Sequence, residues 1–82
     1  MDYKRLMPTL ARLGNVLIRV YADDHVPPHF HVAAPDCEVL VSIATLEVLQ
    51  GSIDRRSLDA ALNWARANME LLNNEWTRLN ER

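Results

Sequence analysis

Val16-Leu17-Ile18-Arg19-Val20-Tyr21 is the stretch on which the fold class turns. Val16, Ile18 and Val20 recur with a period of two, and Leu17, Arg19 and Tyr21 fill the positions between them. That is the alternation of a strand with one apolar face and one mixed face. Gly14-Asn15, immediately before it, is a two-residue turn signal that pairs this strand with Thr9–Leu13 as a tight hairpin. Downstream, Ala22–Pro28 is irregular: Pro27 and Pro28 remove backbone donors and hold Val26 and Pro27 extended. His29–Ala33 is the next strand, ended by Pro35-Asp36. In Cys37–Ile43, Val39, Val41 and Ile43 alternate with Glu38, Leu40 and Ser42, and Thr45–Gln50 adds a short fifth strand before Gly51.

The period then changes. Leu58, Leu62, Ala65, Met69, Leu72, Trp76 and Leu79 follow one another at alternating steps of four and three, a heptad seam. The spacing predicts one helix, beginning between Ser52 and Asp54, both acceptable N-caps, and running to Asn80. The expected fold is α+β: an antiparallel sheet of four to five short strands packed on one long C-terminal helix, with residues 1–8 as a lead-in to a single domain over 9–82. A helix of about 26 residues is about 39 Å long, whereas strands of five or six residues span about 17–20 Å. Leu72, Trp76 and Leu79 are therefore expected to project past the sheet and to be covered by a second copy of the chain or by a small protein partner.

Composition narrows the class. The chain has 82 residues, 49% hydrophobic and 24% charged, which is globular rather than disordered. Its net charge of −2 does not indicate broad nucleic-acid binding, although a local site remains open. Cys37 is the single cysteine, so no disulfide framework is expected. The stretch Met1-Asp2-Tyr3-Lys4-Arg5-Leu6 lacks the apolar core of a signal peptide, and no apolar run is long enough for a membrane span. The expected compartment is the cytoplasm.

All three histidines fall within Asp23-Asp24-His25-Val26-Pro27-Pro28-His29-Phe30-His31-Val32. Residues two apart in a strand share a face, so His29 and His31 point together, opposite Phe30 and Val32. Pairing with Val16–Tyr21 gathers Arg19, Tyr21, His29 and His31 on the polar face, with Glu38 and Ser42 within reach from the next strand. Asp23, Asp24 and His25 arrive from the loop. His25, His29 and His31, with Asp24, can ligate a divalent metal such as zinc. The same residues suit metal-free acid–base chemistry, with His29 or His31 moving protons, Tyr21 beside them and Arg19 holding an anion. They also suit a recognition surface, and the plainest reading is a solvated polar sheet face. Cys37 reads as a small hydrophobe, and Arg55-Arg56 as a solvated pair near the helix start.

Met7-Pro8-Thr9, then Asp24-His25, Pro27-Pro28-His29-Phe30-His31-Val32, Thr45-Leu46-Glu47-Val48-Leu49 and Gly51, with Arg55-Arg56 and Trp64-Ala65, carry a resemblance. In these the chain resembles the bacterial family known as domain of unknown function 4160, from Met7 onward, which marks residues 1–6 as an extension. The resemblance implies no assigned activity. It implies a component of compact two-gene, toxin–antitoxin-like modules, hence a partner-binding, self-associating protein. The alternative is a metal-dependent or histidine-based hydrolase or nuclease centred on His25, His29 and His31. Family members often carry proline at the place of Asp54 and a histidine near Asn68, and this chain departs from both.

Overall fold

The computed structural model describes residues 9–22 and 24–81. The expected lead-in over 1–8 and the carboxylate of Asp23 lie outside the described residues. Five strands follow one another in space as in sequence: β1 Thr9–Leu13, β2 Val16–Arg19, β3 His29–Ala33, β4 Glu38–Ser42 and β5 Val48–Gly51. Every neighbouring pair is antiparallel. Two helices complete the α+β fold, α1 Arg55–Ala67 and α2 Met69–Asn80. Among the described residues no helix is long and apolar enough to cross a membrane.

The strand periodicity builds one apolar face. Ile18 pairs with Val32, Phe30 with Val41, and Val32 with Val39, so these side chains stack across three strands. They are buried in one cluster with Val16, Val20 and Ile43 from the sheet, Ala61 and Ala65 from α1, and Leu72, Trp76 and Leu79 from α2. The small Ala61 and Ala65 let α1 approach the sheet closely. Asp54 caps α1, its carboxylate accepting the Ser57 backbone N–H at 3.0 Å.

The expected single helix is two. At Asn68 the backbone leaves the helical region, with φ −132° and ψ 32°. Its N–H reaches back three residues to the Ala65 carbonyl, and its side-chain amide donates to the Trp64 carbonyl at 2.8 Å. A short polar side chain that competes for backbone groups favours such an end. Each helix now matches the sheet: 13 residues in α1 and 12 in α2, or about 18–20 Å apiece. The expectation that Leu72, Trp76 and Leu79 need a second chain to cover them is thereby corrected, because all three are buried in the chain's own core. A straight helix would carry these side chains past the sheet, and the break at Asn68 turns them back onto it.

Candidate metal centre

The face opposite Phe30 and Val32 holds the polar residues. Cross-strand register sets Arg19 beside His31, His31 beside Leu40, and His29 beside Ser42. The loop from β2 to β3 folds back over this end of the sheet and delivers Asp24. One oxygen of Asp24, Oδ2, lies 2.9 Å from His29 Nε2 and 3.1 Å from His31 Nε2. The two imidazoles are 2% and 8% exposed respectively, so they are not a solvated face. His29 is bounded by the Trp76 ring, with centroids 5.3 Å apart, and Tyr21 stacks on His31 at 4.2 Å.

The remaining ring nitrogens are also engaged. His29 Nδ1 donates to the Pro27 carbonyl oxygen at 2.7 Å, and a carbonyl can only accept. His31 Nδ1 lies 2.8 Å from Glu38 Oε2, so that it donates to this carboxylate. Each imidazole thus has an acceptor oxygen at both nitrogens. A neutral ring carries one proton, and acceptors at both nitrogens do not assign it to either; where it sits on Nδ1, Nε2 is left as a lone pair facing Asp24. Two Nε2 lone pairs and a carboxylate oxygen then converge on one point, an arrangement that requires extra protons or a cation among them. For Asp24, burial acts to raise the pKa, but the His31 hydrogen bond, the His29 charge and the His25 backbone N–H outweigh it and hold the carboxyl below its ordinary value.

Asp24, His29 and His31 offer one ligand atom each, all within 4.8 Å of one another. A tetrahedral ion with bonds of about 2.0–2.1 Å sets its ligand atoms about 3.3–3.4 Å apart. The two separations from Asp24 Oδ2 to the histidine nitrogens, 2.9 and 3.1 Å, are a few tenths of an ångström short of that spacing. The Pro27 carbonyl and Glu38 are in the position of outer partners that fix the ring tautomers of metal-binding histidines.

The other sequence candidates are placed differently. His25 stands outside the group: its side chain is 89% exposed, with Nδ1 3.6 Å from the second Asp24 oxygen. Arg19 lies on the right face, but its Nε donates to Thr9 Oγ1 at 3.2 Å, toward the edge strand and away from the cluster. Glu38, considered only as a residue within reach, is the carboxylate behind His31, and Asp24 is in the ligand position itself. Two participants were not anticipated. Asn80 accepts the Asp24 backbone N–H at 2.7 Å and donates to the Tyr21 carbonyl at 2.9 Å. Trp76, expected at an interface, packs on His29 instead. No local pattern marks Asn80, which lies 56 residues from Asp24.

Among the described residues no concave pocket adjoins the cluster. No curated protein and no solved structure matches the chain. The family described as "Domain of unknown function (DUF4160)" has a model that matches residues 15–77, from the turn before β2 into the last turn of α2, with all of Asp24, His29 and His31 inside it. The chain belongs to the DUF4160 family.

Proposed function

We propose that this chain is a small ion-binding domain that takes up one divalent transition metal, of the zinc class, through Asp24 Oδ2 and the Nε2 atoms of His29 and His31. The observation that carries the reading is the acceptor at every ring nitrogen: with Nδ1 of both rings donating, both Nε2 lone pairs are left for a cation beside a carboxylate. Two imidazoles and one carboxylate suit Zn²⁺ and also Fe²⁺. Substrate sites are ordinarily concave, so the proposal is binding of an ion and does not extend to hydrolysis.

Elemental mass spectrometry of the purified chain tests it, followed by titration with zinc sulfate. One equivalent of metal is expected, lost in Asp24→Asn and in His31→Ala while circular dichroism still reports the fold. Metal-free protein that also ignores added zinc would overturn the proposal.

A second reading, self-association in a two-gene module, is favoured by β5 in place of the helical stripe. This edge strand is exposed at all four residues, including Val48 and Leu49. An unpaired edge with apolar side chains is a template for a further strand, and a second copy of β5 would serve. Sedimentation equilibrium of the wild type against Leu49→Glu decides it: a concentration-dependent dimer lost in the variant supports pairing, and a wild-type monomer at high micromolar concentration removes it.

A further inference from the structure

Two residues one helical turn apart on α2 grip the centre from outside the sheet. Trp76 lies against the His29 ring. Asn80, four positions on and therefore on the same helix face, bonds to both arms of the loop that carries Asp24. Its amide donates to the Tyr21 carbonyl and its oxygen accepts the Asp24 N–H. One planar amide thus ties Tyr21 and Asp24 to the same side chain. Tyr21 in turn stacks on His31, so the amide bears on Asp24 directly and on His31 through Tyr21.

Resting on the ion-binding reading above, we infer that Asn80 is the positioning residue of the centre and that ion uptake is coupled to the docking of α2. The physical basis is the difference between the two arms of the site. His29 and His31 are held by the β3 ladder, His31 between Arg19 and Leu40 and His29 against Ser42 of β4. Asp24 has no ladder. Its backbone N–H goes to Asn80, and among the described residues its carboxylate meets the histidines and the His25 backbone. An ion bound between Asp24 and the two histidines ties the loop to the sheet, and the loop is already tied to α2. Such coupling is reciprocal: whatever the docked helix adds to ion affinity, the bound ion returns to helix docking.

The experiment measures zinc affinity by competition with a chromophoric chelator, and hydrogen exchange at the Trp76–Asn80 amides with and without zinc sulfate. Loss of an outer partner of a metal site typically weakens binding by about 10–100-fold, and that loss is expected for Asn80→Ala. Arg78→Ala, which breaks a surface pair with Glu75 on the same helix, is expected to leave the affinity unchanged. Zinc is expected to slow exchange over Trp76–Asn80 in the wild type and to lose that effect in Asn80→Ala. Should Asn80→Ala fail to fold, Asn80→Asp serves, since it keeps the acceptor for the Asp24 N–H and loses the donor to Tyr21; an intermediate affinity is expected. Wild-type affinity in the Asn80 variant, or exchange over α2 that zinc leaves unchanged, would overturn the coupling while sparing the site. Failure of the wild type to take up zinc would overturn both.

Discussion

The side-chain oxygen of Asn80 accepts the backbone N–H of Asp24 at 2.7 Å across 56 residues of chain, joining the last turn of the molecule to the loop ahead of β3. The centre is thus assembled from two kinds of order. Strand alternation aims His29 and His31 together at no cost beyond forming β3. The carboxylate comes from a loop that has no regular structure of its own, and it is set by a helix end. Groups placed by different means can be perturbed separately, which makes their roles measurable.

Glu38 is the first such group. It holds Nδ1 of His31 at 2.8 Å and so fixes which nitrogen faces Asp24. Glu38→Ala is expected to lower zinc affinity by about 10–100-fold, the usual consequence of removing an outer carboxylate. Glu38→Gln keeps an acceptor oxygen and is expected to retain most of the affinity. Competition titration checks the order wild type, Gln, Ala; equal affinity for all three would show that Glu38 does not orient the ring.

Trp76 gives a prediction about stability. Its indole Nε1 is buried and has no hydrogen-bond partner among the described residues, a condition that costs about 1–3 kcal/mol. Trp76→Phe removes that donor along with part of the ring volume, so the two effects offset. Its stability by urea denaturation is expected within about 1 kcal/mol of the wild type. Trp76→Ala leaves a cavity and is expected to lose about 3–5 kcal/mol. A Phe variant as damaged as the Ala variant would mean that the indole N–H has a partner after all.

What the sequence made legible follows from range. The strands at Val16 and at His29–Ala33 were visible because a strand's period of two is local, although β2 ends at Arg19 and not at Tyr21. The helix start was narrowed to Ser52 or Asp54 because an N-cap acts within three residues. The break at Asn68 was hidden by the seam itself. Ala65, Met69 and Leu72 keep their three- and four-residue steps through it, and periodicity does not register a change of axis. Within the site, alternation put His29 and His31 on one face, and their burial depended on a loop and a helix that alternation does not describe. Asn80 was the least legible, since an amide near a helix end ordinarily signals only a poor helix former. Its role exists only once α2 has folded back against the loop.

Gly51 supplies a steric prediction. It sits at φ +86°, and a Cβ built there would overlap the Glu38 carbonyl oxygen of the neighbouring strand. Backbone strain and overlap act together, so Gly51→Ala is expected to destabilise by about 1–3 kcal/mol. Because the displaced residue is Glu38, the variant is also expected to bind zinc more weakly. Gly14, at φ +63°, has nothing within 4 Å of such a Cβ, and Gly14→Ala is expected to lose about 1–2 kcal/mol from conformation alone with zinc affinity intact. A Gly14 variant that weakens zinc binding as much as the Gly51 variant would detach the effect from Glu38.

Asp54 predicts how the fold responds to acid. The Ser57 backbone N–H bonded to its carboxylate, then the Ser57 side chain, hold its pKa below the ordinary value of 3.8, with the charge of Arg56 adding to them against a small opposing effect of burial. On acidification the unfolded chain therefore takes up this proton before the folded chain does. The stabilisation is complete above 3.8 and is lost as pH falls from there through the lowered folded value. The gap in melting temperature between wild type and Asp54→Ala is expected to stay constant from about pH 7 to about pH 5 and then to narrow below the ordinary carboxylate range. Asp54→Asn retains a neutral N-cap, and its smaller gap from Asp54→Ala is expected not to vary with pH. Thermal melts of the three proteins across this range test the linkage, and a wild-type advantage that widens in acid would give the carboxylate the opposite sign.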